Sequence, residues 1–159
     1  KDFSEFTIFT LIFPWTLACF YIVSAIGNIY IIDFAKGITT NLLTTLKKIL
    51  LLSLGLSTLS FIGGTVFFLI FYKENFSTAF SFLALSLPSG ILISLISTII
   101  SIYQGLGKIK ELRKFIFILI LSYSLIVLAV EDLKVIIALS TLAYLIAFIY
   151  LVLKSKGVK

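Results

Sequence analysis

Apart from one thiol, the polar side chains set deep within the apolar runs of this sequence are hydroxyls and one amide, so the chemistry available there is hydrogen bonding. Between residues 86 and 98, Ser86, Gly90, Ser94 and Thr98 recur every four positions, with Ser97 and Ser101 beside them. A spacing of four places small, weakly polar groups on one helical face. Such a strip has two uses: close approach of a second helix through small-residue packing, or the wall of a hydrated interior path. Asn28 is the most polar side chain well inside a run, and its amide is expected to find a partner within the bundle. Gln104 and Asp33 are expected at the interface, each at the cytoplasmic end of its run.

Catalytic and redox chemistry lack their usual carriers. The chain has no histidine and a single cysteine, Cys19, so the common ligands of haem, zinc and iron-sulfur centres are missing and no cofactor is expected. Serines are abundant, but no histidine can serve them as a base, and no lysine falls at bilayer depth. No carboxylate lies within any run, whereas proton-coupled carriers generally place one in the membrane. The sequence therefore argues against an enzyme, and Cys19 reads as a small packing residue.

The elements that would hold these groups follow from composition. Residues are 60% hydrophobic and 13% charged, with a mean hydropathy of +1.21, far from the range of water-soluble domains. Stretches 6–32, 49–72, 76–104, 115–130 and 135–153 carry no Asp, Glu, Lys or Arg. A spanning helix needs roughly 20 apolar residues, so five transmembrane helices in one all-α bundle are expected. The fourth, at 16 residues, would cross with slight local thinning and with Arg113 and Lys114 snorkelling. Barrel strands would alternate in polarity, and runs such as Ile49-Leu50-Leu51-Leu52 do not.

Charge assigns the two sides. Lys36, Lys47 and Lys48 fall in the first connection, Lys108, Lys110, Arg113 and Lys114 in the third, and Lys154, Lys156 and Lys159 in the tail. Those ten basic residues face three on the other side, Lys1, Lys73 and Lys134, which are joined there by Asp2, Glu5, Glu74, Glu131 and Asp132. The positive-inside rule puts the ten in the cytoplasm, the amino terminus outside and the carboxyl terminus inside. The chain is thus expected as a multi-pass protein of a cell membrane, with membrane lipids as partners. The net charge of +6 does not read as nucleic-acid binding, because the basic residues sit in short blocks beside apolar runs.

Breakers interrupt the runs at Pro14-Trp15, Gly63-Gly64 and Pro88-Ser89-Gly90. Each permits either curvature with close packing or a hinge, and Gly63, Gly64 and Pro88 are the candidate hinges. The chain starts at Lys1 and contains no methionine, which reads as a segment of a longer protein.

The third run closes with Tyr103-Gln104-Gly105-Leu106-Gly107-Lys108 ahead of Lys110, Arg113 and Lys114. Gly105 and Gly107 are expected to end the helix, and the basic groups to bind anionic lipid headgroups on the cytoplasmic side. This turn resembles the cytoplasmic exit found in polysaccharide and lipid-linked oligosaccharide flippases of the multidrug and polysaccharide exporter superfamily. The opening 3–9 and the segment 27–37 are also similar to the entry and exit of the second helix of that family's amino-terminal half. The resemblance implies one six-helix half lacking its first helix, which leaves five spans that start outside and end inside. It further implies alternating access for a lipid-linked saccharide, completed by a remaining transporter half. Asn28, Ser86, Gly90, Ser94 and Thr98 would then form the cavity wall or packing strip. The family's cationic cavity residues have no counterpart within these runs, so function would not be complete in this chain alone. A reading of another class fits the same residues: a small accessory or structural subunit of a larger membrane complex, without its own cofactor.

Overall fold

A computed structural model of the chain describes residues 3–37 and 42–155. The side chains of Cys19 and Asp33, and the whole of Lys1, Asp2, Lys156 and Lys159, lie outside the described set. The five apolar stretches are five helices: α1 (Phe3–Ala35), α2 (Leu42–Phe71), α3 (Phe76–Gly105), α4 (Ile109–Ala129) and α5 (Leu133–Ser155). Each is long and apolar enough to cross a membrane. Helix satisfies every interior backbone group within the segment, which is the condition that a bilayer imposes.

The helices outrun the uncharged stretches. α2 begins at Leu42, so Lys47 and Lys48 lie on its early turns and not in a loop. Lys110, Arg113 and Lys114 likewise stand on the first turns of α4. A helix gains a hydrogen bond for each residue added past its nucleus, and long basic side chains reach the interface from its terminal turns. At 1.5 Å per residue the 21 residues of α4 extend about 32 Å, but four of its first six residues are charged, and its candidate span, Leu112–Ala129, is 18 residues, about 27 Å.

Helix ends are set by a few local devices. Lys108 N–H donates to the Tyr103 carbonyl at 2.9 Å and Gly107 N–H to the Gln104 carbonyl at 3.0 Å, the paired bonds of a Schellman ending. Both glycines stand at the end of α3, as expected: Gly105 is its last helical residue, and Gly107 alone supplies the left-handed conformation, at φ 70°. Between α2 and α3 a single 3₁₀ turn, Lys73–Asn75, reverses the chain. Asp132 caps α5, its Oδ1 accepting from the N–H groups of Lys134 at 2.8 Å and Val135 at 3.2 Å.

Two buried clusters fix the topology. One joins Ile8 and Ile12 of α1, Phe68 of α2, Ala79, Phe82 and Leu83 of α3 and Ile137 of α5. The other joins Val23, Ile49, Ile99, Tyr103, Leu112 and Leu151 with their neighbours. The first draws on the starts of α1, α3 and α5 with the end of α2, and the second on the opposite halves together with the start of α4. The helices therefore run alternately up and down. α3 is the centre: α1, α2 and α5 pack on it, while α4 packs chiefly on α5. Large apolar side chains such as Leu51, Leu59, Ile118, Leu128 and Ile146 are exposed around the outside, as expected of a surface that meets lipid or other protein.

Candidate functional site

Close contacts between the helices are made by small residues. A Cβ added to Gly63 would lie 3.1 Å from the Trp15 ring, and one added to Gly64 would lie 3.2 Å from both Leu83 methyl carbons. These glycines let α2 approach α1 and α3, and α2 continues through them without a break. Gly27 does the same for α1, where an added Cβ would meet Thr98 Oγ1 at 3.2 Å. Hydroxyls add cross-links: Ser60 Oγ donates to the Trp15 carbonyl, Ser24 and Ser97 are 3.4 Å apart, and Ser89 bonds Thr141 on α5. Pro88 is exposed, and α3 runs through it as one helix.

The four-residue strip of α3 has two environments. Ser94 and Thr98 are buried, and each donates to a carbonyl of its own helix, at 2.8 Å to Gly90 and 2.9 Å to Ser94. Gly90 and Ser86, one and two turns nearer the start of α3, line a cleft of about 520 Å³, although Ser86 is also buried. Asn28 joins neither group. With Gly27 turned onto α3, the next residue points about 100° away, and Asn28 is exposed on the outer side of α1. The structure thus places Asn28 away from the interior position expected of it.

The cleft exists because α1 and α5 both pack on α3 but scarcely on each other. Its floor is the middle of α3, its sides are α1 and α5, and the end of α4 closes part of one edge. Phe9, Phe13, Leu17, Ile93, Val127 and Ile136 make the walls largely apolar. Tyr123 and Tyr144 stand among them, while Glu5, Glu131 and Asp132 gather at the mouth, at the helix ends. Among the described residues, no Lys or Arg contributes to the lining. Lys134 turns elsewhere, its Nζ 5.6 Å above the Phe82 ring. Ser140, only 5% exposed, also lines the cleft, and its Oγ has no hydrogen-bond partner.

Sequence reasoning counted Glu5, Glu131 and Asp132 as charges on one side of a membrane. That they share one end of the bundle was legible from topology, but their meeting at a cleft depends on the gap between α1 and α5. Ser140, beside Thr141 in an otherwise apolar stretch, carries no signal of its own. The basic groups Lys108, Lys110, Arg113 and Lys114 are at the opposite end, across the α3–α4 turn, away from the cleft. Among the described residues no group of three or more His, Cys, Asp or Glu is placed to hold a metal ion. In comparison with known proteins, the chain matches no family model, no curated protein and no solved structure.

Proposed function

We propose that the chain is part of a membrane flippase that moves a lipid-linked saccharide by alternating access, in a cell membrane, with the acidic end of the bundle outside. The cleft is the observation that carries this reading. It pairs apolar, aromatic walls with a polar mouth, and a lipid-linked saccharide pairs an apolar chain with a hydroxyl-rich head. Carboxylates at the mouth can accept hydrogen bonds from saccharide hydroxyls, and the aromatic walls can hold the chain. One wall is open, as required of a half-bundle whose counterpart would complete the path. Since no basic residue among the described ones lines the cleft, a phosphate linkage would be met by groups beyond the described residues, such as those of a second half. Gly63, Gly64 and Pro88 are the points at which α2 and α3 would bend, and Lys108, Lys110, Arg113 and Lys114 would hold the cytoplasmic rim at phosphate headgroups.

The exposed amide of Asn28 favours a neighbouring protein on that face of α1, because lipid offers an amide no partner. This suits a second transporter half, and equally an accessory subunit of a larger complex. The test is reconstitution of the native full-length gene product in vesicles holding a fluorescent short-chain lipid-linked saccharide. A quencher added outside should erase the signal of both leaflets. Erasure of the outer leaflet alone, as in protein-free vesicles, would reject the flippase and leave the subunit reading.

A further inference from the structure

We propose that two copies of this chain pair through the outer face of α1, with their Asn28 amides hydrogen-bonded to each other across a two-fold axis. The pairing does not rest on the flippase reading, and it would hold in a transporter half or in a subunit.

Exposure and spacing define the face. Tyr21, Ala25, Asn28 and Ile32 are all exposed, and they are turned away from Val23 and Gly27, which are buried against the rest of the bundle. They fall alternately four and three residues apart, and Pro14, also exposed, continues the series one heptad before Tyr21. A period of 3.5 residues is that of the seam between two helices wound in a left-handed supercoil, crossing at about 20°. Ala25 keeps the seam narrow, so two helix backbones can approach closely there. None of these side chains is charged, so like copies meet without repulsion.

Asn28 selects the occupant. Gly27 beside it faces Thr98, seven residues before the end of α3, so the amide stands about 10 Å inside that end of the bundle. The exposed hydroxyls of Thr58 and Ser124 donate to carbonyls of their own helices at 2.8 and 2.9 Å, which satisfies them facing lipid. An amide has two N–H donors and an acceptor oxygen, and acyl chains supply it with nothing. Copies in one membrane share one orientation, so a two-fold axis along the membrane normal sets their α1 helices parallel and brings each axial residue against itself. The amide is complementary to its own image, each N–H donating to the other's carbonyl oxygen. In coiled coils a single Asn at such a position fixes register and strand number. The cleft-lining Phe13, Leu17 and Phe20 lie about a quarter-turn around α1 from this face, so the pair leaves the cleft uncovered.

The experiment is oxidative cross-linking of the native full-length protein in its own membranes, with two differently tagged copies in a cysteine-free background that includes Cys19→Ser. Ala25→Cys and Ile32→Cys should each give a covalent dimer that holds both tags. Leu59→Cys on α2 and Leu128→Cys on α4, exposed on other faces, should remain monomeric. Fluorescence transfer between labelled copies, diluted stepwise in vesicles, then measures affinity. Asn28→Leu should weaken pairing roughly tenfold, the effect of two amide hydrogen bonds within a membrane. Asn28→Gln, which keeps the amide, should weaken it less. No transfer between unaltered copies, cross-links at positions 59 and 128 as strong as at 25 and 32, or a cross-link from 25 or 32 to a different polypeptide would overturn the proposal. So would pairing that Asn28→Leu leaves unchanged. The dilution measurement on the unaltered chain stands even if a variant fails to fold.

Discussion

At the scale of single residues, small side chains carry the packing and each has a distinct environment. Gly63 and Gly64 face a ring and a leucine at contact distance, whereas a Cβ on Gly55 would meet nothing within 4 Å. Gly63→Leu and Gly64→Leu should each lower stability by about 1–3 kcal/mol through overpacking, while Gly55→Ala should raise it by up to ~1 kcal/mol. Reversible unfolding in mixed micelles reads both signs. Gly107→Ala meets no clash, so its cost of about 1–2 kcal/mol should be conformational only. Gly90→Phe would put a ring into the cleft, and the flippase reading expects transport in vesicles to fall more than about tenfold, or ~1.4 kcal/mol. The spacing of Ser86, Gly90, Ser94 and Thr98 was legible as one helical face. Which part of that face borders the cleft depends on how α1 and α5 sit on α3, and no local pattern encodes that. Asn28 was misplaced for a related reason: polarity suggested an interior partner, but the neighbouring Gly27 claims the contact with α3.

At the scale of elements, the existence of all five helices was legible because long uncharged runs have only one membrane-compatible conformation. Their ends were less legible. A boundary at the first charged residue is what composition suggests, yet α2 and α4 carry their basic residues on their opening turns. Capping geometry also separates two glycines that composition treats alike: only Gly107 takes the left-handed conformation, because only its position in the Schellman ending requires it. Helix α4 is the least integrated element, with 6% of its spanning window buried against 44% for the segment containing α3. Sparse contacts allow local opening, so α4 amides should exchange with deuterium well before those of α3 in hydrogen-exchange mass spectrometry in a mild detergent. Equal protection of the two helices would show that α4 is held by contacts beyond the described bundle.

At the scale of the whole molecule, alternation of the helices sorts the charges by end. Glu5, Glu74, Glu131 and Asp132 stand at one end, and Lys36, Lys108, Arg113 and Lys154 toward the other. The proposed orientation, and with it the placement of the cleft mouth outside the cell, rests on this asymmetry. Side-specific labelling of single cysteines tests it most directly. In a Cys19→Ser background, cysteines replacing Glu74 and Glu131 should react with an impermeant maleimide in intact cells. Cysteines replacing Lys108 and Lys154 should react only after the membrane is opened. The reverse pattern would invert the bundle, and equal labelling of all four in intact cells would contradict a membrane-spanning protein altogether.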